Sequence, residues 1–112
     1  MDIQTHHDNG ILTLSVQAER IDSAVAIQFK DAIRASIDER SSRVLLDLGK
    51  VQFVDSSGLG AIVASMKFLA PERSLELAAL TPDVDKVFRL TRMDTIFRIH
   101  SNVENATTRA AG

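Results

Sequence analysis

VLLDLGKVQFVDSSGLGAIV, residues 44 to 63, decides how this chain folds. Val44-Leu45-Leu46, broken only by Asp47 before Leu48, is a near-continuous apolar run, the pattern of a strand covered on both faces. Gly49 and Lys50 interrupt it, and Val51, Phe53 and Val54 lead into Asp55-Ser56-Ser57-Gly58. Beyond the polar stretch Leu59, Ile62, Val63, Met66 and Leu69 recur at helical spacing until Pro71. A buried strand feeding an amphipathic helix is the repeating unit of an α/β sheet protein. The junction is unusual. It holds an acid, two hydroxyls and two glycines where a plain turn would serve.

Toward the N-terminus, Asp8-Asn9-Gly10 signals a hairpin, because Asn-Gly accepts the positive φ of a tight type I′ turn. Leu12, Leu14 and Val16 then alternate with Thr13 and Ser15 as a half-buried strand. The residues before the turn form its edge partner. Asp22 or Ser23 is placed to cap a helix in which Val25, Phe29, Ile33 and Ile37 recur every four residues, ending at Ser41-Ser42. Toward the C-terminus, Leu75, Leu77 and Ala79 alternate as a strand. Thr81-Pro82-Asp83 opens a further helix with Val84, Val87, Phe88 and Leu90 on its apolar side. Ile96 to Ile99 reads as a last strand, and Ser101-Asn102-Val103-Glu104 as a capping box before a short helix. The order predicts one α/β domain over residues 1–112. Its sheet is mixed and mostly parallel, of about five strands with an N-terminal hairpin, and carries about four helices. The polar motif then lies at the carboxyl end of a central strand, where open α/β sheets place their functional loops.

Composition narrows the function. The 112 residues suit one domain. With 13 basic and 15 acidic side chains and a net charge of −2, a dominant nucleic-acid surface is not expected. The absence of cysteine removes a disulfide scaffold and a thiolate metal site. No signal-peptide pattern and no membrane-length apolar run is present, so a cytoplasmic protein without metal or cofactor is expected.

Three chemistries compete for the polar junction. A serine nucleophile needs a base, and the sequence around Ser56 and Ser57 is not G-x-S-x-G. His6, His7 and His100 all read as solvent-facing strand residues, so a hydrolase is rejected. A phosphate cradle fails because Gly58-Leu59-Gly60 lacks both the P-loop lysine and dinucleotide-fingerprint spacing. A receiver-type phosphoacceptor at Asp47 fails for want of an acidic pair after the first strand. What remains is a hydroxyl presented for modification, against simple helix capping. If the helix starts near Gly58, Ser56 and Ser57 occupy the N-cap region. Asp55 would suffice as the cap. Phosphate on Ser57 would add about −1.5 to −2 charge, which the helix dipole tolerates and a docked partner does not.

The residues also carry a resemblance. Val44-Leu45-Leu46-Asp47-Leu48 followed by Val54-Asp55-Ser56-Ser57-Gly58-Leu59-Gly60 resembles the STAS domain of bacterial anti-sigma factor antagonists. Arg20-Ile21-Asp22-Ser23-Ala24 is similar to the family's loop before its first helix, and Val87-Phe88-Arg89-Leu90-Thr91 with Met93-Asp94 and Ile96-Phe97 to its C-terminal signature. The resemblance implies a partner-switching protein rather than an enzyme, monomeric when free. Its unphosphorylated form would bind an anti-sigma factor that is also a serine kinase of the histidine-kinase-like ATPase type, releasing the sigma factor or another client. That kinase would phosphorylate Ser57, and a serine phosphatase would reverse the mark. Asp22, Asp55, Ser56, Ser57, Gly58, Leu59 and Gly60 would make the partner-binding surface. The same family includes adaptor subunits of transport and signalling complexes in which the hydroxyl is not phosphorylated. Two departures stand out. Leu69 to Ser74 lacks the usual glycines, and Arg92 stands where a glycine often follows Leu-Thr.

Overall fold

The computed structural model describes residues 1–38 and 41–110. Strands β1 (Ile3–Asp8) and β2 (Ile11–Val16) form the N-terminal hairpin, and Asn9 and Gly10 take φ of 52° and 78° at its turn. A two-residue strand β3 (Arg20–Ile21) precedes helix α1 (Ala26–Ser36). Then come β4 (Arg43–Asp47), β5 (Phe53–Val54), α2 (Ser56–Leu69), β6 (Ser74–Ala78), α3 (Pro82–Leu90), a 3₁₀ turn at Met93–Thr95, β7 (Ile99–His100) and α4 (Val103–Ala110). Five strands make one sheet in the order β1-β2-β4-β6-β7, antiparallel at β1–β2 and parallel elsewhere. The expected mixed sheet, hairpin and four helices are all present.

Strand alternation sends the sheet's side chains to two unequal layers. Leu14, Leu46 and Leu77 lie in register on one face, and with Phe29 and Ile33 of α1, Ile62 and Leu69 of α2 and Phe88 of α3 they build the main core. Each large side chain buried this way contributes about 1.5–3 kcal/mol. The other face is covered by α4 alone among the described elements, with Ile11, Leu45, Ala78 and Ala106 in contact. This second layer holds an ionic network. Arg43 donates to both carboxylate oxygens of Glu76 at 2.7 and 2.6 Å, and His100 Nε2 lies 2.7 Å from Glu76 Oε1. His100 is therefore buried, not solvent-facing as its sequence position suggests, because β7 lies inside α4 and beside Glu76.

Several boundaries differ from the sequence reading, each for a local reason. Helix α1 starts at Ala26 with no side-chain cap and ends at Ser36; Asp22 instead closes the turn before it, accepting from the Ala24 amide at 3.1 Å. Ala79 lies beyond β6, at φ 62°. Leu90 faces solvent at 74% exposure rather than joining the apolar side of α3. Arg92 takes φ 64°, a left-handed conformation that glycine adopts at least cost. After it the chain turns 3₁₀ and drives Phe97 into the core against Phe88, edge to face at 6.1 Å between centroids, so only Ile99 and His100 pair with β6. The last helix is capped by Asn102, whose Oδ1 accepts from the Asn105 amide at 2.7 Å, instead of by Ser101.

Candidate functional site

Strand β4 does not lead directly into the polar motif. Asp47 ends that strand by accepting from Ser15 Oγ and the Gly49 amide, both at 2.9 Å, which accounts for its charge without a phosphoacceptor role. The chain then loops to β5, which pairs in parallel with β3 as a separate two-stranded sheet, Arg20 opposite Phe53 and Ile21 opposite Val54. This pairing sets two loops side by side: residues 22–25 before α1, and the start of α2.

Asp55 joins them. Its Oδ1 accepts from the Gly58 amide at 2.8 Å, capping α2, and its Oδ2 accepts from the Ser23 amide at 3.1 Å across 32 residues of sequence. The Gly58 hydrogen bond holds the Asp55 carboxyl below the usual carboxylate range; burial opposes it, and the Ser23 and Ser57 amides and the Arg20 charge reinforce it. One charged side chain thus caps the helix and ties down the neighbouring loop. Asp22 completes that loop, with its Oδ2 accepting from Arg20 Nε at 3.2 Å, while the Arg20 guanidinium stacks 4.2 Å from the Phe53 ring centroid.

Helix α2 begins earlier than the sequence suggests. Asp55 is the N-cap, so Ser56 and Ser57 are the first two helical residues and neither is needed for capping. Both are exposed. Gly58 is buried for a steric reason: a Cβ there would sit 1.9 Å from the Ile21 carbonyl oxygen. Gly60 is exposed, with no atom within 4 Å of a Cβ position. Leu59 turns inward, half-buried against the main core, and does not contribute an exposed anchor. Asp22, Asp55, Ser56, Ser57, Gly58 and Gly60 thus share one corner of the molecule. The exposed apolar groups beside it are Phe53 on β5 and Ile27 on α1, which sequence reading missed. Ile27 falls off the Val25-Phe29-Ile33 stripe, and that offset was the available signal.

Among the described residues no histidine hydrogen-bonds these hydroxyls, and His6 is exposed on β1. His7 lies 2.9 Å from Asp38 at the hairpin, and His100 belongs to the Glu76 network. Among the described residues no group of three His, Cys, Asp or Glu side chains is placed to hold a metal ion, and no helix is long and apolar enough to cross a membrane. The site can present a hydroxyl at a helix N-terminus, where the dipole favours an anion. Gly60→Ala tests its openness. The added methyl meets no neighbour, so the variant should gain about 0.5–1 kcal/mol of helix stability, read as a rise of about 2–6 °C in melting temperature. A fall would show the surface to be closed.

Comparison with known proteins gives a consistent picture. The STAS domain model matches residues 2–106. The chain is 30% identical to the anti-sigma F factor antagonist of Paenibacillus polymyxa over 115 aligned positions, covering 96% of this chain and 93% of that protein. An anti-sigma-factor antagonist (STAS) domain protein from Planctomyces limnophilus matches all of both chains with TM-score 0.88 at 21% identity. The Bacillus cell fate determinant SpoIIAA has the same fold at 20% identity. Its unphosphorylated form aligns at TM-score 0.77 over 99% of this chain and 97% of that one. Its phosphorylated form aligns at 0.68 over 96% and 98%.

Proposed function

The chain belongs to the STAS domain family, and on that premise we propose that it is a cytoplasmic anti-sigma factor antagonist whose partner affinity is set by phosphate on Ser57. The observation that carries this reading is Ser57 itself: an exposed hydroxyl on the first turn of α2, not required as a cap, on a corner braced by Asp55. The solution of SpoIIAA in phosphorylated and unphosphorylated forms supports it, since that protein shares the fold.

In this reading the unmodified corner docks on an anti-sigma factor that is also a serine kinase of the histidine-kinase-like ATPase type, and the bound sigma factor or other client is released. The kinase transfers the γ-phosphoryl group of ATP to Ser57 Oγ; ADP leaves and the hydroxyl proton is lost. A serine phosphatase hydrolyses the ester and restores the hydroxyl. The new charge of about −1.5 to −2 meets the α2 dipole, so the fold persists. It also sits beside the Asp55 carboxylate, and a partner covering the corner would have to desolvate both. A penalty of about 3 kcal/mol weakens binding by about two orders of magnitude.

The test is intact-mass analysis after incubation with ATP and each purified anti-sigma factor kinase encoded in the same genome. The wild-type chain should gain one phosphate and Ser57→Ala none. Ser57→Asp should lose about a hundredfold in affinity for the responsive kinase while its melting temperature stays within a few degrees. Phosphate on Ser57→Ala, or equal affinity of Ser57→Ala and Ser57→Asp, would overturn the proposal.

A further inference from the structure

We propose that the cleft between α1 and α2 is a second docking surface for the same anti-sigma factor, receiving an acidic amphipathic segment of that partner; this rests on the reading above. The cleft is lined by Lys30 and Arg34 of α1 and by Ala64, Ser65 and Phe68 of α2. Phe68 is 46% exposed, with the Arg34 guanidinium 4.5 Å from its ring centroid. Ser65 is buried and spends its hydroxyl on the Ala61 carbonyl at 2.9 Å, so the floor offers little polar competition. Ala64 is small, which leaves room for an incoming side chain between the helices.

Charge identifies the occupant. Arg20, Arg43 and Arg89 each lie within ion-pair distance of a carboxylate of this chain. Among the described residues neither Lys30 nor Arg34 does, and no acid lines the cleft. Two unneutralised cations flanking an exposed aromatic ring select a segment that alternates carboxylates with apolar groups.

Continuity assigns it to the same partner. Ser57, Ala64 and Phe68 fall on one side of α2 at helical spacing, so the cleft lies on the Ser57 side of the helix, about 10–16 Å along it from that serine. On α1, Ile27, Lys30 and Arg34 follow the same direction, and Ile27 is 70% exposed next to the Ser23 loop. A partner that covers Ser57 and extends along this side of α2 reaches the cleft. Contacts this far from the phosphate strengthen docking in both phosphorylation states, so the cleft sets which partner binds and the serine sets when it leaves.

The experiment measures binding to each purified anti-sigma factor kinase of the same genome by stopped-flow and equilibrium titration at several ionic strengths. Lys30→Glu/Arg34→Glu should weaken the complex at least about tenfold, mainly through slower association, and flatten its salt dependence. Lys30→Gln/Arg34→Gln, which removes charge without reversing it, should fall between and covers the case in which the double reversal does not fold. Both should remain monomeric by sedimentation. Unchanged affinity and salt dependence in the neutral variant, while Ser57→Asp still weakens binding, would overturn the cleft and leave the switch standing. Self-association of the wild-type chain abolished by these changes would overturn it in favour of a second copy as occupant. If the wild-type chain binds none of the kinases, the reading of Ser57 fails, and the cleft fails with it.

Discussion

Glu76→Ala should destabilise the fold by about 3–5 kcal/mol, although Glu76 is far in sequence from the polar motif. The side chain is only 7% exposed and accepts from Arg43 at 2.7 and 2.6 Å with His100 at 2.7 Å. Removing it leaves a half-buried guanidinium and a buried imidazole facing a void, and an unpaired buried charge costs more than its pair contributes. Because β7 is two residues long and α4 packs against it, amide exchange in residues 99–108 should accelerate first. Ser57 lies across the sheet on α2, so its modification should survive in whatever fraction remains folded.

The same carboxylate makes stability pH-dependent, and the sign follows from its environment. Burial alone would raise its pKa; hydrogen bonds from Arg43 and His100 and their charges outweigh it and lower it from 4.5 to about 2. A group with a depressed folded-state pKa stabilises fully above its unfolded value and loses that stabilisation as pH falls through the folded one. At ~1.4 kcal/mol per unit, the gap is worth about 3 kcal/mol, present above pH 4.5 and lost toward pH 2. Urea unfolding between pH 7 and 2.5 checks this. Asp55 acts in the same direction over the acid range, so Glu76→Gln is the control whose curve should be flatter than wild type. A Glu76→Ala variant within about 1 kcal/mol of wild type would show that the network contributes nothing.

Gly58→Ala is expected to cost about 3 kcal/mol, the upper end for an overpacked site, even though alanine is the better helix former by about 1 kcal/mol. The added Cβ would lie 1.9 Å from the Ile21 carbonyl oxygen and 2.7 Å from its carbon. Both are backbone atoms, so no rotamer relieves the overlap; either α2 or β3 must move. That movement separates Asp55 from the Ser23 amide and loosens the corner around Ser57, so phosphorylation by the cognate kinase should slow as well. Two residues along the same helix, Gly60→Ala should stabilise. Opposite signs from one chemical change isolate the close approach to β3 as the cause, and equal stability of Gly58→Ala and wild type would refute it.

The order of the helices and of the main-sheet strands, the hairpin at Asn9-Gly10, the helix from the polar motif to Leu69 and the fold family were legible in the sequence; the short β3–β5 sheet was not. Each depends on neighbours within about one helical turn or on strand alternation. So were the residues from Asp55 to Gly60 at the Ser57 corner, carried by a contiguous motif, while Asp22 comes from the loop before α1. Helical spacing alone does not say how deeply α2 sits on the sheet, and the structure leaves Leu59 half-buried against the main core. Leu90, at helical spacing with Val84 and Val87, lies outward for the same reason.

What tertiary structure alone decided is every pairing across a long stretch of chain. Asp55 reaches Ser23 across 32 residues, Arg43 reaches Glu76 across 33, and Glu76 reaches His100 across 24. No local pattern marks these side chains, since a strand shows only which face a residue takes. The neighbour opposite is set by the order in which parallel strands are laid down. Sequence therefore specified the strands, helices and the hydroxyl they present; the packing of β3 on β5 and of α4 on the sheet chose which charges hold them.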